Sequence, residues 1–355
     1  MIELISYREN KKWNRIISSF PLADTYFSCE YATSYMESVK GVPYLLNYEN
    51  NGVRIAYPII EKDVSDFSAF KGAIDKGIYF DWNTPYGYGG PLTNLENIDI
   101  RDQLIFRKEL YAFAKERNIV SQFVRFHPII KNHLICPYVI DSMYVKDTIY
   151  IDLTTENDLM CQMESKNRNL LRKAIKNNVL ITHDKGEKIQ EFMYIYNKTM
   201  DRDNASSFYY FPKSYYEYLK NNMSNETEYF YAYKDGNMIA ASIFFYKNKS
   251  MHYHLSANLV EFRTFAPTNL ILYVASNWGR DMGMSTLHLG GGVGIEDSLF
   301  HFKKQFNKNG RVGFYIGRSI FMPDKYNYLL EERKNLEEGF EKDNQYFIQY
   351  RKPQV

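Results

Sequence analysis

The glycine-rich segment 288–306, HLGGGVGIEDSLFHFKKQF, has the clearest chemical potential in the sequence. A predicted strand ends at Leu289, and a predicted helix begins at Glu296 or Asp297. Between them lie four glycines: Gly290, Gly291, Gly292 and Gly294. Glycine lets a backbone approach a ligand closely, and the free N–H groups of a helix N-terminus attract an anion. The segment therefore either cradles an anionic ligand or forms a tight turn without one.

Lys303 is the most unusual residue of the helix that follows. At about 100° per residue, Leu299, Phe302 and Phe306 form an apolar stripe, and Lys303 falls within it. A lysine among apolar side chains is expensive to bury without an anionic partner. Lys303 therefore either extends its ammonium group to the surface or meets an anion in a cleft. A substrate phosphate and the developing oxyanion of acyl transfer are the candidate anions.

No covalent nucleophile stands out in the sequence. There is no Gly-x-Ser-x-Gly turn, and no pattern around the three cysteines indicates catalysis, a disulfide framework or a zinc site. His252 and His254 share one face of a predicted strand but lack a third ligand, so we expect no metal. This pattern favours direct attack by a substrate amine on an activated acyl donor, with the protein supplying positioning and electrostatic stabilisation.

Two arginines belong to predicted helices. Residues 154–178 read as a helix that Thr154 or Thr155 can cap, with an apolar stripe on one side and a basic cluster that includes Arg168 on the other. That cluster is either a binding face or a solvated one. Arg202 lies where a second helix ends before an aromatic-rich loop. Its forked guanidinium either clamps a diphosphate there or forms a surface salt bridge.

Two loops carry further candidates. The loop 84–91, TPYGYGGP, presents Tyr86 and Tyr88, and it either lines a cleft or only turns the chain. In the segment RFHP, Arg125 and His127 share one face at the end of a predicted strand. A structural hydrogen bond and a catalytic role are equally consistent with that placement.

The elements that must position these residues occur in the same order in both halves of the chain. Residues 44–60 and 229–246 each predict a β-hairpin with an Asn-Gly or Asp-Gly turn. A helix and then a strand follow downstream in each half, at 101–126 and 268–289. The repeat predicts a duplicated α/β fold of the α+β type, in which helices flank mostly antiparallel mixed sheets. A domain boundary near 147–155 fits this division.

Composition limits the classes of function. The chain has 44 Lys and Arg against 42 Asp and Glu, a formal net charge of +2, which is too balanced for a protein whose main partner is DNA or an anionic membrane. No stretch approaches the roughly 18 apolar residues of a membrane span, and the N-terminus lacks an apolar signal core. We therefore expect a cytoplasmic protein. Aromatic residues make up 17% of the chain, including 32 tyrosines, which suit wet clefts as well as cores.

The segments SKNRNLLRKAIKNNV, TMDRD and HLGGGVGIEDSLFHFKKQF together resemble the Fem (FemABX) peptidyltransferase family. Members of that family have two tandem GNAT-like domains and attach amino acids from aminoacyl-tRNA to the peptide of a peptidoglycan precursor. The resemblance implies one domain of residues 1–147 with 319–355 and a second of residues 148–318. TPYGYGGP and RFHP resemble a branch described as GNAT-like or Fem-like acyltransferases of cell-envelope or polysaccharide synthesis.

The resemblance also implies roles for individual residues. Lys303, with Phe302 beside it, matches the active-site Phe-Lys pair of the family, which contacts the acyl donor or stabilises the tetrahedral oxyanion. Arg202 matches an arginine that helps to hold the nucleotide diphosphate of the acceptor. Arg168 matches the arginine of the basic helix, with a structural or donor-binding role. Tyr253 lies in the strand that contributes an aromatic side chain to the cleft.

Two departures from the family pattern bear on the substrates. The basic residue that the family can place in its first helix, for the acceptor phosphates, has no clear counterpart around residues 28–36. The Gln/Arg-x-x-Gly-x-Gly/Ala loop of CoA-binding GNAT enzymes is also missing, which argues against acyl-CoA as the donor without excluding it.

The sequence thus predicts a cytoplasmic transferase that forms an amide on a cell-envelope precursor and holds no tightly bound cofactor. In the leading version, charged tRNA is the donor and a peptidoglycan precursor is the acceptor. One alternative is acyl-CoA-dependent N-acylation of an amino sugar of a surface polysaccharide, and another is a non-catalytic GNAT-like binding protein. The expected catalytic residues are Lys303, Phe302 and Tyr253. The expected substrate-binding residues are Arg202, Arg168, Gly290, Gly291, Gly292, Tyr86, Tyr88, Arg125 and His127.

Overall fold

The computed structural model describes residues 1–36, 40–70 and 72–353. The strands in these ranges are β1 (Ile2–Ser6), β2 (Val42–Asn50), β3 (Val53–Asp63), β4 (Phe80–Asn83), β5 (Leu92–Thr93), β6 (Ile119–Arg125), β7 (Asp141–Asp152), β8 (Leu180–Asp184), β9 (Thr227–Lys234), β10 (Asn237–Lys247), β11 (Ser250–Asn258), β12 (Thr286–Gly290) and β13 (Arg311–Ile320). The α-helices are α1 (Asn10–Ile17), α2 (Cys29–Ser34), α3 (Ile100–Glu116), α4 (Ser165–Lys176), α5 (Ile189–Arg202), α6 (Lys213–Asn222), α7 (Pro267–Asp281), α8 (Ser298–Lys304) and α9 (Pro323–Leu336).

The chain divides into two compact units. The first contains Met1–Val145 and the chain from Phe314 onward, and the second contains Lys146–Gly313. None of the helices in the described ranges combines a bilayer-spanning length with an apolar sequence.

The two units have the same sheet arrangement. In the first, the strand order is β1-β2-β3-β4-β6-β13, with β5 paired to β3; β4 and β6 are parallel and the other pairs are antiparallel. In the second, the order is β8-β9-β10-β11-β12-β7, and β11 and β12 form the parallel pair. Each parallel pair is connected through a helix, α3 or α7, because parallel strands need a crossover. The predicted fold class, tandem mostly antiparallel mixed sheets flanked by helices, is confirmed.

Local turn chemistry explains the two hairpins. The turn between β2 and β3 has φ angles of 50° at Asn51 and 79° at Gly52, and the turn between β9 and β10 has 50° at Asp235 and 80° at Gly236. A two-residue turn with two positive φ angles matches the right-handed twist of the strands, and Asn-Gly and Asp-Gly adopt it most readily. Both predicted hairpins are confirmed.

Helix α4 begins later than the sequence predicts. It starts at Ser165, and Leu159–Gln162 before it form a short 3-10 helix whose N-cap, Asp158, accepts a hydrogen bond from the backbone N–H of Met160 at 2.8 Å. The prediction of one helix over residues 154–178 is therefore wrong, because short polar side chains bond to nearby backbone groups and favour turns here.

A buried pair of amides joins α4 to α7. Asn269 donates through Nδ2 to Asn167 Oδ1 at 2.8 Å, and both residues are buried. Asn167 Nδ2 also lies 3.4 Å from the carbonyl oxygen of Gln305, directly after α8. One buried asparagine therefore links the basic helix, the crossover helix and the end of the Lys303 helix.

Replacement Asn167→Ala is expected to lower the free energy of unfolding by about 1–3 kcal/mol, because it leaves the Asn269 amide buried with its acceptor removed. Denaturant unfolding measures the effect. Asn169→Ala, at an exposed position of the same helix, is the matched control and is expected to change stability by less than about 0.5 kcal/mol. Equal losses in the two variants would contradict the role given to the buried pair.

Candidate active site

Lys303 is buried in the second unit. Its residue is 8% exposed, its Nζ donates a hydrogen bond to the carbonyl oxygen of Gly291 at 2.7 Å, and the same Nζ lies 5.9 Å from the centre of the Tyr253 ring. Of the two alternatives open from sequence, extension to the surface is therefore excluded. The ammonium group instead meets a main-chain carbonyl and an aromatic face.

The apolar stripe around Lys303 differs from the predicted one. Leu299 is 40% exposed, whereas Phe300 is buried. Phe306 is buried too, but α8 ends at Lys304, so Phe306 lies beyond the last turn instead of on the same helical stripe. Phe302 is half-buried and packs edge-on against Phe306 with ring centres 5.5 Å apart. The buried face of α8 is therefore formed by Phe300 and Lys303, which lie three residues apart.

Burial controls the charge of Lys303. Removal from water lowers the pKa of Lys303 from 10.5 to about 7; the Asp297 carboxylate opposes this shift and the Lys146 ammonium adds to it. Desolvation disfavours the charged form of a lysine because the protein interior solvates an ion poorly. Near neutral pH the amine is therefore divided between a charged form, which stabilises negative charge, and a neutral form.

Strands β11 and β12 stop pairing with each other close to Lys303. β11 pairs with β12 in parallel at Ser250, Met251 and His252, and from Tyr253 it continues to Asn258, while β12 ends at Gly290. Tyr253 thus lies at the first position after the pairing. Burial raises the pKa of Tyr253 to about 12, so its hydroxyl keeps its proton at neutral pH. Lys303, Tyr253 and the glycine loop meet at this point.

The glycines form a tight turn around a carboxylate of the chain itself. Gly290 has a φ of 72°, and a Cβ atom at Gly292 would lie 1.9 Å from Asp297 Oδ1. Asp297 accepts hydrogen bonds from the backbone N–H groups of Gly294 at 2.7 Å and Phe300 at 2.8 Å. The N–H groups of Gly294 and Phe300 therefore bind Asp297, and the carbonyl groups of Gly291 and Gly292 accept hydrogen bonds from lysine side chains.

Arg168 and Arg202 are the two arginines of the second unit that the sequence predicts to bind substrate. In the structure both form hydrogen bonds or ion pairs with other residues of the protein. Arg168 donates to the carbonyl oxygen of Met163 at 2.5 Å and to Ser165 Oγ at 2.7 Å, which fastens the start of α4. Arg202 forms an ion pair with Asp203 at 2.8 Å and donates to the carbonyl oxygen of Asn258 at 3.1 Å. The local ion pair is thus the arrangement observed for Arg202, at the end of the strand that carries Tyr253.

The first unit brings the predicted residues Arg125, Tyr86 and Tyr88 together. Arg125 donates through Nε to the carbonyl oxygen of Gly87 at 2.8 Å, and its guanidinium carbon lies 5.8 Å from the Tyr86 ring centre and 5.2 Å from that of Phe314. The Tyr88 ring packs edge-on against Phe314 at 5.6 Å. Burial raises the pKa of Tyr88 to about 12. The loop 84–91 and the end of β6 therefore form one aromatic group around a cation.

His127 lies next to this group, with its ring centre 5.6 Å from that of Tyr88. It is fully buried, its Nε2 lies 2.8 Å from Asp24 Oδ2, and its Nδ1 accepts a hydrogen bond from the backbone N–H of Ile130 at 3.2 Å. The second bond assigns the proton to Nε2, which donates to Asp24. Sequence reasoning missed Asp24 because it lies 103 positions away from its partner.

Sequence reasoning also missed Lys146. Its Nζ donates to the carbonyl oxygens of Gly292 at 2.6 Å and Val293 at 2.8 Å. One isolated lysine in a strand, 146 positions before the glycine it bonds, leaves no local signal.

Residues 163–304 match the sequence model of the acetyltransferase (GNAT) domain. The matched region lies within the second unit. It contains α4, the parted strands, the glycine loop and Lys303. A search of curated protein sequences finds no match. The acyltransferase class predicted from the sequence is confirmed at this level.

Three solved structures share the fold over most of the chain. FemX has a TM-score of 0.65 and 14% identity, with 94% of this chain and 100% of that chain covered. The C-terminal domain of a proposed lysylphosphatidylglycerol synthetase from Agrobacterium fabrum has a TM-score of 0.54 and 12% identity, covering 94% and 98%. A tandem GNAT protein of the clavulanic acid biosynthesis pathway has a TM-score of 0.51 and 7% identity, covering 90% and 98%. At these identities the likeness is one of fold, and the resemblance to the Fem architecture is confirmed.

Replacement Lys303→Met is expected to raise the free energy of unfolding at pH 7 by about 1–3 kcal/mol, because the buried amine that must lose its proton or its hydration is removed. The folded pKa of Lys303 lies below its ordinary value of 10.5, so the unfolded wild type binds more protons between about pH 7 and 10.5. The wild type therefore gains stability as the pH rises, and the advantage of the variant shrinks. Denaturant unfolding at pH 7 and pH 9.5 measures this difference. A pH-independent difference, or the same change in Lys304→Met, would contradict the assignment.

Proposed function

We propose that this protein transfers an aminoacyl group from aminoacyl-tRNA to an amine of a peptidoglycan precursor, with Lys303 as the catalytic residue. The observation that carries the proposal is the buried Lys303 amine of the GNAT domain, held on a main-chain carbonyl with no carboxylate among its hydrogen-bond partners in the described chain. Its charge is therefore available to an incoming group. The fold shared with FemX over 94% of the chain supports the same reaction class.

The reaction needs no covalent enzyme intermediate. The acceptor amine attacks the ester carbonyl carbon of the aminoacyl-tRNA, so that a C–N bond forms and the carbonyl oxygen becomes an oxyanion. The Lys303 ammonium stabilises that oxyanion, and a buried cation acts more strongly there than in water. The ester C–O bond then breaks, and the released tRNA hydroxyl takes up the proton that the amine loses. The Tyr253 ring, 5.9 Å from the Lys303 amine, limits access of water to it, and Phe302 packs against Phe306 beside the same helix.

The backbone before α7 supports an aminoacyl-tRNA donor. β11 leads into a 3-10 helix, Val260–Phe265, and then into Ala266 and Pro267 at the start of α7. A diphosphate is usually held by free backbone N–H groups at such a helix start. This segment has no glycine, and proline has no N–H group. It is therefore poorly suited to the diphosphate of CoA.

Acyl-CoA is the second candidate donor, with an amino sugar as the acceptor. The observation that favours it is the match of residues 163–304 to the acetyltransferase (GNAT) domain. The two candidates share the amide-forming step and the role of Lys303, and they differ in the leaving group, a tRNA hydroxyl or a CoA thiol.

Arg125, Tyr86 and Tyr88 support an anionic acceptor. Arg125 is half-buried and its guanidinium is fixed by one hydrogen bond and two aromatic rings, while no carboxylate in the described part of the chain pairs with it. A fixed guanidinium offers two parallel donors to a phosphate or a carboxylate. Peptidoglycan precursors carry both groups. We assign the acceptor's anionic group to Arg125 and one of its ring-shaped groups to the tyrosines.

A transfer assay tests the function. Purified protein is given radiolabelled aminoacyl-tRNA or acetyl-CoA, together with a nucleotide-linked muropeptide or an amino sugar. We expect label to pass from charged tRNA to the muropeptide, with the rate falling by about 100-fold or more in Lys303→Met. Lys304→Met, on the same helix, is the matched control and should retain most of the rate. Transfer from acetyl-CoA but not from charged tRNA would show that acyl-CoA is the donor. Full activity of Lys303→Met would reject the catalytic role of Lys303.

Replacement Arg125→Gln is expected to raise the KM for the acceptor by roughly 10- to 100-fold with a small change in kcat, because the lost charge-assisted bonds act on binding. Arg125→Lys keeps the charge but not the forked geometry, so it should recover only part of the affinity. Initial rates at varied acceptor concentration measure both parameters. An unchanged acceptor KM in Arg125→Gln would remove Arg125 from the acceptor site.

A further inference from the structure

The loop between β12 and α8, residues 291–297, is held by charged side chains more than by burial. Val293 and Ile295 are 89% and 79% exposed, so apolar packing does not anchor this part of the loop. Arg311 pairs with Glu296 at 2.6 Å on one side. A segment with this exposure keeps one conformation only where polar contacts define it.

Lys146 supplies two of these contacts. Its Nζ donates to the carbonyl oxygens of Gly292 and Val293, at 2.6 Å and 2.8 Å. Lys303 donates to the carbonyl oxygen of Gly291 at 2.7 Å. Three consecutive carbonyl groups therefore bond to two ammonium groups, and the carbonyl that holds Lys303 is covalently adjacent to one that Lys146 holds.

The packing around Lys146 leaves the glycine loop little freedom. A Cβ atom at Gly291 would lie 3.0 Å from the carbonyl oxygen of Asp147 and 3.6 Å from Lys146 Cε. The loop therefore rests directly on the β7 backbone at Lys146 and Asp147. Arg311 bonds to Asp147 as well, at 3.2 Å, which joins the strand to the far side of the loop.

We propose that Lys146 is a positioning residue of the active site, which fixes the glycine loop so that the Gly291 carbonyl holds the Lys303 amine in place for acyl transfer. The role of Lys146 in acyl transfer rests on the proposed function, whereas the placement of the Lys303 amine by Lys146 does not depend on it.

Lys146 also acts on the charge of Lys303. The groups that face the Lys303 amine are the Asp297 carboxylate, the Lys146 ammonium and the Tyr253 ring. Burial is the main cause that lowers the pKa of Lys303, Asp297 raises it, and Lys146 lowers it further. Loss of Lys146 removes a like charge, and this change favours the charged form of Lys303. The pKa of Lys303 should therefore rise.

Chemical labelling tests this without any substrate. The wild type, Lys146→Met, Lys146→Arg and Lys308→Met are labelled with trace acetic anhydride between pH 6 and pH 10, and acetylation of Lys303 is quantified by mass spectrometry. In Lys146→Met we expect the titration midpoint of Lys303 to move up by about half to one pH unit. Lys146→Arg should lie close to the wild type because it keeps the charge. Lys308→Met, an exposed charge control, should not shift.

Kinetics provide the second measurement. Lys146→Met should lower kcat by about 10-fold with a small change in acceptor KM, and Lys146→Arg should restore most of it. An unmoved Lys303 midpoint in a Lys146→Met protein that unfolds like the wild type would overturn the proposal. If Lys146→Met does not fold, Lys146→Gln, which removes the charge but keeps a side-chain N–H donor group, takes its place under the same criterion. The Lys303 midpoint could shift in Lys146→Met while the wild type transfers no acyl group from any donor. That result would support the placement of Lys303 by Lys146 and reject the proposed function.

Discussion

The hydrogen bond between the buried Lys303 amine and the Gly291 carbonyl is the constraint on which the rest of the site depends. A buried ammonium group without a bonded carboxylate is costly, so the surrounding chain has to supply oriented dipoles. The turn supplies them because Gly292 leaves room for the Asp297 carboxylate, whose bonds to backbone N–H groups hold the loop with its carbonyls toward lysine. The Tyr253 ring adds a second favourable surface for the charge.

The same arrangement explains how a buried lysine that destabilises the fold would serve the proposed reaction. Removing the amine from water weakens the fold, but in the proposed reaction it also places an ammonium group without a hydrogen-bonded carboxylate where negative charge develops. Groups that are fixed before the reaction need little reorganisation during it, which is the main way in which such sites stabilise a transition state. The match to the GNAT domain model and the parting of β11 and β12 both lie in the second unit, where we propose this chemistry. The aromatic group around Arg125 gives the first unit a separate candidate for binding the acceptor.

Features determined by neighbouring residues were predictable from the sequence, and features that depend on distant residues were not. Asn-Gly and Asp-Gly adopt two positive φ angles readily, so the hairpins followed from the turn residues alone. The periodicity placed Lys303 among apolar residues but left its burial open, and it included the exposed Leu299, whereas α8 buries Phe300. Helix α4 was predicted to start too early because turn-forming bonds compete with a helical pattern. The partners of Lys146 and of His127 lie more than 100 residues away, and only the folded chain brings them together.

The most direct test of the account compares two inhibitors that differ only at the reacting carbon. One carries a tetrahedral phosphonate in place of the transferred carbonyl, and the other carries a planar amide. If Lys303 stabilises the oxyanion of aminoacyl transfer, Lys303→Met should weaken binding of the phosphonate by about 100-fold or more and binding of the amide by less than about 3-fold, because the interaction exists chiefly in the transition state. Equal losses for both inhibitors, or no loss for the phosphonate, would contradict the catalytic role assigned to the buried amine.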